Sequence, residues 1–296
     1  MIVQGRVIAA SLVICALAMP GLAQAPAIGA PSNPADVSGP SNAPEASTLS
    51  LSATFGGDGK PIRTGLIWRI FAEKGEGQPT LAARSNAPAP NLSLAPGNYV
   101  VHVAYGFATA SQRLTLSAAP RAERLSLNAG AIKLGGAIGD AAIPANRISF
   151  SIFLPLGSDS EGRLIIGNVK PGEVVRLPEG SYHVVSTYGE SNAIMRADLK
   201  VDAGRLTEAT LNHRAATMTL KLVAAAGGEA FAGTAFSVLT PGGDVIREAI
   251  GAFPRVTLAE GNYMLIARHD GRVYTREFNV QSGLDRDVEV MVTAAQ

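Results

Sequence analysis

Four histidines, His102, His183, His213 and His269, and one acidic loop are the groups of this chain best suited to chemistry. A metal site needs several ligands brought to one point, commonly with two of them closely spaced in the chain. These histidines are scattered, no pair has such a spacing, and each reads as a solvated strand residue. In a strand that starts at Tyr99 or Tyr182, His102 and His183 stand at odd offsets from the tyrosine, so both point away from its face. The run Gly157-Ser-Asp159-Ser-Glu161-Gly162 places two acids at alternate positions. A calcium loop of the EF type needs a third acid and a later glutamate, both absent, so the run reads as a polar hairpin turn. Gly56-Gly57-Asp58-Gly59-Lys60 resembles a fragment of a phosphate loop. Pro61 stands where the Ser or Thr belongs, and no helical pattern follows. No Gly-x-Ser-x-Gly elbow occurs. No catalytic residue, metal ligand or cofactor is assigned, and the chain is expected not to be an enzyme.

The remaining hint of binding chemistry is aromatic. Tyr105 and Tyr188 each lie six residues beyond a shared motif tyrosine, and His269 replaces them in a third copy. Together they could line a ligand edge. Trp68, the sole tryptophan, shares strand parity with Ile70 and reads as core rather than as a sugar platform.

The shared motif is Leu-x-x-Gly-x-Tyr. It occurs as Leu94-Ala-Pro-Gly97-Asn-Tyr99, Leu177-Pro-Glu-Gly180-Ser-Tyr182 and Leu258-Ala-Glu-Gly261-Asn-Tyr263. The glycines are 83 and then 81 residues apart. That period is too long for a solenoid and suits a small domain. Physically, the Leu buries at a strand end. The Gly permits a tight turn with φ > 0. The Tyr opens the next strand with its ring in the core and its hydroxyl free to bond the backbone just upstream, as in a tyrosine corner.

Around the motif each copy repeats one plan. An alternating strand comes first, through Leu49, Leu51 and Ala53, Ile132 and Leu134, or Met218, Leu220 and Leu222. Glycine-rich turns follow at Gly56-Gly57-Asp58-Gly59, Gly135-Gly136 and Gly227-Gly228. An aromatic-apolar strand is next, carrying Trp68 and Ile70, Phe150 and Ile152, or Phe236 and Val238. A variable polar stretch leads to the motif. After the tyrosine the side chains alternate with period two, as in a half-buried strand, and two further strands close each copy. The pattern predicts an all-β protein of three tandem immunoglobulin-like or prealbumin-like sandwiches at 47–129, 130–216 and 217–296. Domains of about 80 residues are marginal alone, and the connections Asn128-Ala-Gly130 and Arg214-Ala-Ala216 are short, so end-to-end packing is expected.

The pattern Leu-x-x-Gly-x-Tyr-x-Val, followed some 20 residues later by Val-x-x-Gly, resembles the PEGA and carboxypeptidase-regulatory-like (prealbumin-type) modules of bacterial envelope proteins. The stretch Leu177–Leu211 carries it whole, including Val201-Asp-Ala-Gly204. The third copy has Val280-Gln-Ser-Gly283, with Leu265 at the Val position. The first copy departs, with Ala119 in place of the later glycine. The resemblance implies a β-sandwich and leaves function open among spacer, ligand-binding and accessory roles. Related adhesin modules form a Lys–Asn isopeptide bond, for which Lys133 and Asn212 occupy the plausible strands. Lys133 and Lys221 alternate outward, which reads instead as solvated charge.

Residues 1–25 read as a secretory signal, with Arg6 as the positive region, an apolar run from Val7 to Met19, and cleavage after Ala23 or Ala25. Cys15, the only cysteine, lies inside that run. Residues 26–46 are Pro-, Ala- and Ser-rich and read as a disordered linker. Without the leader the chain has 24 basic and 24 acidic residues, so a nucleic-acid partner, which needs a basic stripe, is not expected. No further apolar run reaches the roughly 20 residues of a membrane span. The expectation is a periplasmic or secreted spacer or interaction scaffold whose partner is another envelope protein. The alternative is a small-molecule or glycan-binding protein.

Overall fold

In the computed structural model the described residues are 46–56, 59–75, 77–157 and 162–292. The leader, most of the linker, the middle of the 56–59 turn and the centre of the acidic loop lie outside them. Strands account for the ordered structure, and no helix occurs among the described residues. The first module comprises β1 (Ser47–Phe55), β2 (Leu66–Glu73), β3 (Thr80–Ser85), β4 (Asn91–Leu94), β5 (Gly97–Tyr105), β6 (Ala108–Leu116) and β7 (Arg121–Leu127). The second comprises β8 (Ala129–Ile138), the short β9 (Ala141–Ala142), β10 (Ile148–Leu154), β11 (Arg163–Val169), β12 (Val174–Pro178), β13 (Gly180–Tyr188), β14 (Ile194–Val201) and β15 (Leu206–Asn212). The third comprises β16 (Ala215–Val223), β17 (Ala235–Leu239), β18 (Val245–Ile250), β19 (Arg255–Ala259), β20 (Gly261–His269), β21 (Arg272–Val280) and β22 (Arg286–Met291).

Each module is a sandwich of two sheets. The smaller has the order β4-β1-β7, β12-β8-β15 or β19-β16-β22; the larger has β3-β2-β5-β6, β11-β10-β13-β14 or β18-β17-β20-β21. The first strand of each module runs antiparallel to the strand that ends in the motif and parallel to the module's last strand. Period-two alternation puts the expected residues inside. Trp68, Ile70, Phe150, Ile152, Phe236 and Val238 are at most 1% exposed. Burying a large apolar side chain of this kind contributes about 1.5–3 kcal/mol. The Trp68 indole N–H, which could not be left bare in such a site, donates to the Ala87 carbonyl at 3.0 Å.

Two local expectations are corrected, one outright and one in part. Gly135-Gly136 is no turn: both residues lie within β8, and the chain turns later, at Gly139. A Cβ on Gly136 would stand 2.1 Å from Ile148 Cδ1, so the glycine makes room for core packing. The motif glycines meet the φ > 0 expectation in two copies of three: Gly180 and Gly261 have φ of 158° and 155°, outside the compact left-handed region, and Gly97 has no positive φ. Each opens a strand beneath its own tyrosine, whose ring lies 3.7–3.9 Å from where a Cβ would be. The polar stretch before each motif also holds a strand, β3, β11 or β18, at the free edge of the larger sheet.

Candidate functional site at the module junctions

The three motif tyrosines close their own modules. Tyr99, Tyr182 and Tyr263 donate to the carbonyls of Ala95, Pro178 and Ala259 at 2.7, 2.9 and 2.9 Å. Their rings are at most 6% exposed, and burial pushes the Tyr182 phenol above its usual range. The leucines Leu94, Leu177 and Leu258 are buried beside them.

Six residues further on, Tyr105 and Tyr188 lie where one module meets the next. At the first junction Tyr105 packs edge-on against Phe55, with ring centroids 5.6 Å apart. The guanidinium of Arg176, on β12 of the second module, lies 5.0 Å from the Tyr105 ring centre. Such a stacked cation contributes about 0.5–2 kcal/mol. The Phe107 N–H donates to the Arg176 carbonyl at 3.0 Å, joining the β5–β6 turn to the neighbouring module's strand. Gly65 borders the same guanidinium: a Cβ there would stand 3.1 Å from Arg176 Cζ. The Arg176 Nε is buried without a hydrogen-bond partner, which leaves the stacking on Tyr105 as the visible compensation for its desolvation.

The second junction reuses the position with different chemistry. Tyr188 is buried, stacked edge-on against His213 at 5.9 Å, and the Arg147 guanidinium lies 5.1 Å from its ring centre. Here the arginine comes from the upstream module, and its Nη2 donates across the junction to Thr217 and Thr257 at 2.7 and 2.9 Å. Thr257 occupies on β19 the place that Arg176 has on β12, one residue before the motif leucine. Asn192 adds a second stitch. Its Nδ2 donates to the Tyr263 hydroxyl at 2.8 Å, and its Oδ1 accepts the Ala259 N–H at 3.0 Å. Arg247 reaches back to Glu190 at 2.6 Å.

His213 is not the solvated residue expected: it is 3% exposed and shares a buried 2.7 Å hydrogen bond with Ser186. Ser186 sits in the core row where the other modules have Val103 and Ala267, so its hydroxyl needs a partner, and His213 supplies it. Burial of the ring pushes the His213 pKa below the usual histidine range.

Among the described residues no further module packs against His269. It packs against Phe231 with ring centroids 5.2 Å apart, shares a 3.3 Å hydrogen bond with Thr234 and lies 3.4 Å from Asp270. The proposed ligand edge of Tyr105, Tyr188 and His269 is therefore distributed over two junctions and one open tip. His102 and His183 lie on outward faces. His183 shares a 2.8 Å bond with Asp198, while burial and Arg69 lower the His102 pKa. Lys133 pairs with Glu208 at 3.0 Å, whereas Asn212 stands opposite Ala137, so the two groups of an isopeptide bond do not meet. Among the described residues no three His, Cys, Asp or Glu side chains gather as metal ligands. A cleft of about 390 Å³ in the third module is lined by Pro241, Asn262, Tyr263, Met264, Glu277 and Phe278, but the Tyr263 hydroxyl is committed to the junction.

Sequence reasoning missed Gly106, Arg147, Arg176, Gly189, Asn192 and Thr257. The signal available was the dipeptide Tyr-Gly at 105–106 and 188–189, absent from the third copy.

Residues 217–292 match the family described as the Rhizobiales growth-associated tandem repeat domain. That is the third module alone, and the match does not extend to the PEGA or carboxypeptidase-regulatory-like modules. No curated protein matches the chain. Among solved structures, it resembles the Bacillus anthracis TIE protein at 13% identity and a TM-score of 0.25, covering 83% of this chain and 51% of that one. The chain thus spans about half the length of that protein. It also resembles a streptococcal ancillary pilin at 13% identity and a TM-score of 0.28, covering 83% and 99% of the two chains. The major pilin subunit BcpA of Bacillus cereus gives 11% identity and a TM-score of 0.24, with 84% and 100% covered.

Proposed function

We propose that this chain is an exported, non-enzymatic protein of the bacterial cell envelope, a spacer and interaction scaffold whose partner is another envelope protein. The observation that carries the reading is a surface repeated three times. The free edge strands β3, β11 and β18 expose Leu81, Leu164 and Val245 at 56%, 54% and 57%. These stand opposite Phe71, Phe153 and Leu239, each beside a shift in strand register. They are 83 and then 81 residues apart, the spacing of the motif glycines. An edge strand offers unpaired backbone donors and acceptors, and an exposed aliphatic at a fixed register adds a side-chain contact for an added strand. The register shift twists the edge and so limits indiscriminate pairing.

The stitched junctions support a spacer, because they hold these edges in a set relation. Likeness to PEGA-type envelope modules in the second half of each repeat, and the growth association in the matched family's name, agree with a role at the envelope. The rival reading, a small-molecule or glycan-binding protein, rested on tyrosines that pack into the junctions. In-cell crosslinking with mass spectrometry tests the proposal, comparing the natural chain with Leu81→Asp/Leu164→Asp/Val245→Asp. A reproducible protein partner lost in the variant is expected. Recovery of the chain alone with a co-purifying small molecule would overturn it.

A further inference from the structure

The three modules share one strand order, yet the glycines at the junctions occur only where a neighbouring module packs. At the tip of each larger sheet the residue after the sixth position beyond the motif tyrosine is Gly106, Gly189 or Asp270. Gly106 and Gly189 have φ of 63° and 73° and lie against the next module. A Cβ on Gly106 would stand 2.6 Å from Arg176 Cβ and from its carbonyl oxygen, and one on Gly189 2.7 Å from Thr257 Cβ. Real Cβ atoms do not come so close, to the Arg176 backbone at Gly106 or to the Thr257 side-chain root at Gly189, so the neighbour seats as it does only on glycine. Asp270 keeps the left-handed conformation, with φ of 48°, but carries a side chain that is 89% exposed. It therefore occupies the space that the two internal junctions need empty. Exposed Arg268 and Arg272 flank it, so the tip is charged as well as obstructed.

The opposite face of the module shows the same contrast. Gly204 and Gly283, with φ of 71° and 77°, form the turn before the last strand. Cβ atoms on them would lie 3.4 Å from Phe55 Cβ and 3.5 Å from Ile138 Cγ2 of the preceding module. The first module has Ala119 there, in a turn without positive φ, whose carbonyl accepts the Ser47 hydroxyl at 2.7 Å. Exposed Ser93 replaces Arg176 and Thr257. Three positions, Asp270 at the tip of the third module and Ser93 and Ala119 on the outer face of the first, thus lack the junction residue.

We infer that the stack is closed at both ends: Asp270 is a stop that excludes a further module of this kind from the tip of the third, and Ser93 and Ala119 make the first module's outer face a poor match for such a tip. Terminal repeats that differ on their outer face are how modular arrays set their length. Here the device keeps a further module of this kind, including one from a second copy of the chain, from docking at the Asp270 tip. The inference does not depend on which partner the edges take.

The test extends the full chain. A second copy of residues 214–292 is placed behind Val292, the counterpart of His213, so that its counterparts of Thr257 and Gly283 face the Asp270 tip as they face the second module now. Paired spin labels on the third and the added module report their separation by pulsed electron resonance. A broad distance distribution is expected with Asp270 in place, and a narrow one after His269→Tyr/Asp270→Gly. A narrow distribution with Asp270 present, or a broad one after both substitutions, overturns the inference. A reciprocal variant guards against misfolding of the added copy. Gly106→Asp moves the stop into the first junction of the unextended chain, with labels at Ala118→Cys and Ala142→Cys and with Cys15→Ser. The label distribution should broaden while the strand signal in circular dichroism stays; an unchanged narrow distribution there also overturns the inference.

Discussion

The tyrosine hydroxyls do most of their work on backbone. Removing one leaves a carbonyl unpaired in a nearly buried corner, which costs about 1 kcal/mol. Tyr182→Phe should therefore lower the melting temperature by about 2–4 °C. Tyr263→Phe should lower it further, because Tyr263 also holds Asn192 across the junction. Scanning fluorimetry of the two variants decides the order; equal losses would remove Asn192 from the account. His213 gives a pH dependence of definite sign. Burial lowers its pKa in the folded chain, so the unfolded chain binds the proton more readily. The stabilisation is complete above about pH 6.5, the unfolded value, and declines as pH falls from there toward the folded pKa. Urea unfolding at pH 7.5 and pH 5 should show this loss, and His213→Gln should flatten it. Of the nearby cations, Arg147 lies over the Tyr188 ring and hydrogen-bonds Thr217 and Thr257, and Arg214 pairs with Glu260 at 2.6 Å.

Among the elements, the buried strands were the legible ones. β2, β5 and their counterparts alternate apolar and polar residues because one face meets the core. β3, β11 and β18 were not legible, since an edge strand exposed on both faces has no reason to alternate; the Thr80–Ser85 side chains range only from exposed to half-buried. Gly135-Gly136 misled for a related reason. Adjacent glycines usually mark a turn, but here Ile148 needs the volume that a Cβ on Gly136 would fill. At this scale the junction turns can be tested. Gly106→Ala and Gly189→Ala combine a disfavoured positive φ with a collision, and each should cost about 1–3 kcal/mol. Gly139→Ala, where nothing lies within 4 Å, should cost only the conformational part, about 1 kcal/mol. Denaturant titration of the three variants separates packing from backbone conformation.

At the scale of the whole molecule, the three modules belong to one compact unit. Each has its own hydrophobic core, and cores of this size are weak alone. Docking therefore couples their unfolding. Calorimetry of the natural chain should show one main transition, and Gly106→Ala/Gly189→Ala should split it into overlapping components. A split transition in the natural chain would refute the coupling. The sequence by itself determined the three-fold repeat, the β class, the tyrosine corners and the outward faces of His102 and His183, but not the burial of His213, because the former follow from local alternation and from the chemistry of a few neighbouring residues. Only the tertiary structure decided what Tyr105 and Tyr188 face, which arginine covers each, and why Gly106 and Gly189 give way to Asp270. Those contacts join residues about 40 to 110 positions apart, and no periodicity within one module specifies the surface of the next.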